Sequence, residues 1–342
     1  WGRVRSGAAA ADAQYDSAAL DAHYARQSIV AQVAKGWFLA TEARMQKALA
    51  DDTVAASTRA AGLAQDRLRV GVGDEYDLRV AQANLQSLRD SALSLEQAYR
   101  QAVRSLEILA GRYPAAALAV PAELAPPPPP VPVGLPSELL ERRPDVVAAE
   151  RRVAAAFHRI QEAKAARLPA ISLTASFTSV TSELFVLQER DNPLTSFGAS
   201  VLAPLFLGGK LRAQVDIRSA EQKQAVADYG RVGARAFNEV ENALSAGFSL
   251  DAREPILSQA VVENQRALEL ANVRYKVGSG DLRGVLQQNL SLYAAQSALI
   301  RTRSERLVQR INLHLALGGS FEQPPEGAAP PHTATASAVP PQ

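Results

Sequence analysis

The chain has 342 residues, enough for two domains or for one elongated one. Its 37 basic and 35 acidic side chains leave a net charge of +2, which argues against nucleic acid as the main partner, since that needs a concentrated basic face. With no cysteine, disulfides, thiolate metal sites and cysteine nucleophiles are excluded.

Aromatic residues make up 6% and alanine is abundant, a bias that suits long helices packed closely through small side chains. No signal peptide and no apolar run of about 18 residues is present. Residues 8–69 have helical composition throughout. They run into RLRVGVGDEYD, which begins at Arg67 and holds two glycines. Each glycine costs about 1 kcal/mol inside a helix, so the pair marks a break. A second helix is expected over about 75–110, closed by Gly111. Two helices joined by so short a turn are antiparallel.

Residues 113–136 form a proline-rich linker, stiff and extended. Ser137 and Glu138 open a helix that reaches Leu168, with Pro144 dividing it near its start and Asp145 well placed at the restart. Pro169 ends it, and the period changes. ISLTASFTSV, residues 171–180, sets Ile171, Leu173, Ala175 and Phe177 against Ser172, Thr174, Ser176 and Thr178. SFGASVLAPLF, residues 196–206, sets Phe197, Ala199 and Val201 against Ser196, Gly198 and Ser200. Such strands of about ten residues suit a transmembrane β-barrel, apolar out and polar in. They suit a half-exposed soluble sheet as well.

Residues 210–276 are again helical, with Val226, Tyr229, Val232, Ala236, Val240 and Leu244 recurring as a narrow seam. Pro255 predicts a kink. RYKVGSGDLRG, starting at Arg274, repeats the glycine break, and a helix over about 281–317 ends at Gly318. The tail, 320–342, is rich in proline, alanine and threonine and is expected to be disordered.

The two glycine breaks are copies. Arg67, Val70, Gly71, Gly73 and Asp74 fall on Arg274, Val277, Gly278, Gly280 and Asp281, an offset of 207 positions. The same offset places Gly2 on Gly209, Asp21 on Asp228, Leu85 on Leu292 and Gly111 on Gly318. Residues 1–112 and 208–319 are therefore two copies of one unit. The second copy is preceded by 137–207, a helix and two strands, so a further helix and strand pair is expected upstream of Trp1. The long arm from Gly208 to Val277 has 70 residues, and 281–317 and 137–168 together have 69. Two shorter helices end to end can thus flank one long one, predicting a tall molecule with strands at one pole and glycine turns at the other.

LPSELLERRPDVVAAERRVAAA, the LPAISLTASF after it, APLFLGGKLRAQV, EVENAL and RYKVGSGD occur in this order. Together, over roughly 1–319, they resemble the TolC-like outer-membrane efflux proteins, in particular their lipoprotein branch. The resemblance implies a mainly α fold with a small β part: long antiparallel helical hairpins forming an α-barrel, plus transmembrane β-barrel strands. It implies a homotrimer with a twelve-stranded barrel in outer-membrane lipid and a helical tunnel across the periplasm of a Gram-negative bacterium. Ile171, Leu173, Ala175, Phe177, Phe197, Ala199 and Val201 would then face lipid. Val70, Gly71, Val72 and Gly73, with Val277, Gly278, Ser279 and Gly280, would be hairpin tips that meet a periplasmic adaptor protein linked to an inner-membrane pump. Where some members ring the closed aperture with aspartates, this chain has Gly284 and Gln287. Asp74, Glu75 and Asp77, with Asp281 in the second copy, form either an acidic mouth or favourable helix starts. The upstream helix, strand pair and lipid-anchor cysteine of the branch lie outside the sequence.

His23, His158, His314 and His332 are scattered without metal-ligand spacing, and LFLGGKLR lacks the rest of a phosphate-binding loop. No catalytic arrangement stands out, so neither an enzyme nor a cofactor or metal is expected. Two functions remain: a passive trimeric conduit exporting drugs or other small solutes, and a soluble periplasmic coiled-coil adaptor without a pore. The apolar outer face of 171–177 and 197–201 favours the conduit.

Overall fold

The computed structural model describes residues 1–128, 141–180 and 192–319. The fold is mainly α with a small β part. Its elements, in chain order, are helix α1 (Arg3–Arg69), helix α2 (Glu75–Leu109), helix α3 (Pro144–Ala165), strands β1 (Ala170–Val180) and β2 (Asn192–Leu202), helix α4 (Lys210–Lys276) and helix α5 (Leu282–Ala316). The duplication is visible in the backbone. α1 and α4 each have 67 residues, α2 and α5 each have 35, and every boundary moves by the same 207 positions. Both long helices start one residue after a left-handed glycine, Gly2 at φ +82° and Gly209 at φ +79°.

The four helices of the two repeats, α1, α2, α4 and α5, end alike. In each, a glycine with φ between +70° and +79° follows the cap residue: Gly71, Gly111, Gly278 and Gly318. The glycine's N–H and that of the next residue turn back onto the last helical turn, as in Val72 to the Arg67 carbonyl (3.0 Å) and Ser279 to the Arg274 carbonyl (2.9 Å). This is the Schellman cap, which satisfies carbonyls the helix leaves open and needs a residue that tolerates positive φ.

The chain clusters into two compact units. The first comprises Trp1–His23 and Pro144–Arg235. In it α3 starts with proline at the first helical position, where a missing N–H costs nothing, and the Asp145 carboxylate accepts from the Val146 N–H at 3.0 Å. Ala148, Ala149, Ala155, Ala156, Ile160 and Ala163 are buried along α3, and Arg152 pairs with Asp21 of α1. β1 and β2 pair antiparallel, from Ala170 opposite Leu202 to Val180 opposite Asn192. The second strand thus lies earlier than 196–206. Pro169 precedes the Ala170–Leu202 rung and Pro204 lies two residues beyond it, and proline offers no N–H to extend the ladder. Gly198 sits where a Cβ would come within 2.8 Å of Thr174 Oγ1, so the pair closes tightly at that rung.

The second unit comprises Tyr24–Arg143 and Ala236–Gln342. The remainders of α1 and α4 there form hairpins with α2 and α5. One apolar cluster joins all four helices through Ala61, Ala64, Leu78, Ala81, Leu85, Tyr275, Leu282, Val285 and Leu286. A second, of Ala40, Val103, Leu106 and Val120, seats the segment after α2.

α4 runs through Pro255 without ending, where the sequence predicted a kink. The lost backbone bond falls where α4 is stapled to α5. Glu254 pairs with Arg303 (3.0 Å) and Arg306 (2.6 Å), and Asp251 with Arg306 (2.5 Å). Of the expected seam residues Ala236 is buried, Tyr229, Val232, Val240 and Leu244 are half-buried and Val226 is exposed; the buried positions Ala236, Ala243 and Leu250 instead recur at heptad spacing. The helix expected to open at Ser137 and the tail 320–342 fall wholly or partly outside the described residues.

Candidate functional site: hairpin tips and strand pair

Both glycine turns lie in the second unit, and each is built from the same parts. The first glycine, Gly71 or Gly278, supplies the left-handed cap. The second supplies closeness. A Cβ on Gly73 would approach the Leu68 nitrogen to 2.7 Å, and one on Gly280 would meet Arg274 Cβ at 3.0 Å. Glycine is thus required twice, for two different reasons. Val70, Val72 and Val277 stand exposed beside them, an apolar rim that none of the described residues covers. Ser279 is held inward, its N–H and hydroxyl both directed to the Arg274 carbonyl.

The acidic residues next to the tips are helix caps in this structure. Asp74, extended at φ −110°, accepts from the Tyr76 N–H at 3.0 Å and starts α2. Asp281 accepts from the Gly284 N–H at 2.8 Å and starts α5. Asp77 lies in the first turn of α2. Gly284 lies beneath the Asp281 carboxylate, where a Cβ would come within 3.0 Å of Oδ1. Gln287 is exposed on α5.

Two cross-hairpin contacts, absent from the sequence expectations, join the tips. The Arg67 guanidinium lies 4.6 Å from the Tyr275 ring centroid and donates to the Tyr275 carbonyl at 3.0 Å. Arg283 lies 5.6 Å over the Tyr76 ring. Tyr76 and Arg283 occupy equivalent places in the two copies, 207 positions apart. Arg67 and Tyr275 both belong to the glycine-turn motifs, but nothing in the sequence pairs them.

Two carboxyls on the hairpins, buried Glu107 and half-buried Glu42, have shifted affinities for the proton. Burial pushes the Glu107 carboxyl up, but the backbone N–H groups of Ala116, Leu118, Ala117 and Ala115 outweigh it and hold it below the usual range. Three of those bonds measure 2.7–2.9 Å and fix the chain leaving α2. Glu42 goes the other way: burial raises it, with Glu305 adding to the rise, while Ser304, Arg301 and Gln46 oppose it.

In the first unit the strand pair sorts by chemistry. Ile171 faces Val201, Leu173 faces Ala199 and Ala175 faces Phe197 across the ladder. These side chains are exposed, Leu173 at 81% and Phe197 at 83%. On the opposite face Ser172 bonds Ser200 at 2.6 Å and Ser176 bonds Ser196 at 2.7 Å. Phe177 continues the apolar face opposite Thr195. No helix among the described residues is long and apolar enough to cross a membrane. The strand pair exposes an apolar face at Ile171, Leu173, Phe177, Phe197 and Val201.

Known proteins share this arrangement. The family described as outer membrane efflux protein matches residues 1–112 and 135–319. The pyoverdine export outer membrane protein OpmQ of Pseudomonas aeruginosa is 38% identical over 196 residues, 57% of this chain and 41% of that protein. OpmQ of Pseudomonas putida is 30% identical over 326 residues, 94% of this chain and 68% of that protein. The MtrE outer membrane channel of Neisseria gonorrhoeae, solved in its open state, superposes with a TM-score of 0.81 at 31% identity, covering 93% of this chain and 72% of that one. The chain spans about two thirds or less of the length of the curated relatives it matches. With the family matched over most of its length, the chain belongs to the outer membrane efflux proteins.

Proposed function

We propose that this chain contributes to the wall of an outer-membrane efflux conduit, a passive homotrimeric channel that lets small solutes such as drugs leave a Gram-negative cell. The observation that carries this reading is the strand ladder: Ile171, Leu173, Ala175 and Phe177 share one face with Val201, Ala199 and Phe197, while Ser172, Thr174, Ser176, Ser196 and Ser200 lie on the other, which turns apolar at the Ala170–Leu202 end. A soluble adaptor has no use for a fully exposed sheet face of leucine, isoleucine and phenylalanine. Two strands cannot close a barrel, so partners from other copies are needed. On α4, Phe248, Val262, Leu270 and Val273 are exposed in the second unit, with Phe248 and Val262 two heptads apart. Another copy of the chain is the occupant such a seam fits. The repeats 1–112 and 208–319 would then supply two hairpins per protomer, separated by the linker 113–136 and by the helix and strands of 137–207.

The tips, with exposed Val70, Val72 and Val277 around Gly71, Gly73, Gly278 and Gly280, are the surface for a periplasmic adaptor protein and, through it, an inner-membrane pump. Glycine there admits close approach of a partner backbone. The hairpins part at this end to open the lumen. Asp74, Asp77 and Asp281 sit beside the aperture as helix starts, and Gly284 and Gln287 leave it without the further acidic ring of some relatives. To test the reading, the protein is expressed from its complete coding sequence and fractionated. Recovery from the outer membrane as a trimer by light scattering is expected; a soluble monomer would overturn it.

A further inference from the structure

Arg143, the residue before α3, is a charged side chain with no part in the tips or the strands. It is completely buried, at 0% exposure, and it meets three helices of the second unit. Nη1 donates to the Ala316 carbonyl at the end of α5 (3.2 Å) and pairs with Glu239 of α4 at 2.8 Å. Nη2 lies 3.5 Å from the Tyr24 hydroxyl of α1, and the guanidinium stands 5.8 Å over that ring. Beside it the Arg142 carbonyl presses on Gly318, where a Cβ would come within 2.9 Å.

The end of the α4–α5 hairpin remote from its tip is thus gripped by a residue that belongs to neither helix. The α1–α2 hairpin differs. Among the described residues, no atom lies within 4 Å of where a Cβ on Gly111 would sit, and Ile108 is 62% exposed. The two hairpins match in length yet are held differently at their bases.

A buried guanidinium is tolerated only when its partners are complete, and removing one leaves an uncompensated charge. Such a site is over-determined and stiff. The tip contacts have fewer partners: Arg67 makes one ring stack and one carbonyl bond to Tyr275, and Arg283 one stack on the exposed Tyr76 ring, so they hold less firmly. We propose that Arg143 is the pivot of the α4–α5 hairpin, a positioning residue that keeps its base on α1 while its tip moves. This rests on the reading that the tips part to open the lumen.

Hydrogen exchange on the trimer, with single-channel recording, tests it. Arg67→Ala should speed exchange about tenfold at 67–80 and 274–287 and leave 236–243 and 310–318 unchanged. Arg143→Met should speed 236–243 and 310–318 by a similar factor and replace one open conductance level with several. Arg143→Lys should restore the single level in part, since it keeps the charge but not the fork. If Arg143→Met does not fold, the double variant Tyr24→Phe with Glu239→Gln carries the same expectation. Unchanged base exchange and a single level in a folded Arg143→Met protein would refute the pivot alone. Unchanged tip exchange in Arg67→Ala would refute the opening reading, and the pivot with it.

Discussion

The Arg67 guanidinium stacks on the Tyr275 ring at 4.6 Å and bonds the carbonyl of the same residue, so one side chain ties the end of α1 to the end of α4. The stack is worth about 1 kcal/mol at a partly exposed site. Arg67→Ala should raise the resting open fraction about fivefold in single-channel records. Tyr275→Phe, which keeps the ring and the carbonyl, should leave it unchanged.

The tip glycines divide by mechanism. Gly71→Ala and Gly278→Ala place a side chain at positive φ, a cost of about 1–2 kcal/mol each. Gly73→Ala adds a contact of 2.7 Å with backbone, which the turn relieves only by moving. Thermal melts of the trimer should rank Gly73→Ala as the most destabilising, with Gly280→Ala, whose first contact is a Cβ at 3.0 Å, milder.

Glu107 and Glu42 predict opposite pH responses. Glu107 is held below its ordinary value, so its stabilisation is present above about pH 4.3 and is lost as pH falls through the folded value. Glu107→Gln should melt lower than the parent at pH 7, and the gap should close in acid. Glu42 is held above its ordinary value, so the folded state binds the proton more tightly and stability falls as pH rises from about 4.3 through the raised value. Glu42→Gln should melt higher at pH 7, with the gap vanishing below pH 4.

On the strand pair, Phe197→Arg puts a charge on the face read as lipid-exposed, at a cost of about 2–4 kcal/mol if it lies near the bilayer midplane. Ser176→Ala removes only one hydroxyl contact. Membrane assembly, followed by outer-membrane yield of trimer, should drop sharply for the first and stay near the parental level for the second.

Features set by short-range chemistry were legible in the sequence. The glycine turns at Gly71 and Gly278 announce themselves because positive φ and close backbone approach both require glycine. The alternation of Ile171, Leu173, Ala175 and Phe177 survives in the structure because strand period is fixed at two. Pro255 lies inside α4, which continues past it, and the ion pairs of Glu254 and Asp251 to α5 beside it were not visible in the sequence. The frame of β2 was read late because Pro204 was counted inside a strand it ends. Arg67 with Tyr275 and Arg143 with Ala316 were invisible, their partners lying 208 and 173 positions away. That Asp74 and Asp281 cap α2 and α5 is seen only in their bonds to the Tyr76 and Gly284 N–H groups.

The central claim is that copies of this chain enclose a pore. Planar-bilayer recording on the trimer purified from the complete coding sequence tests it most directly. Discrete single-channel conductance steps are predicted, with the open fraction rising in Arg67→Ala. A bilayer that stays electrically silent with inserted trimer, in parent and variant alike, would contradict it.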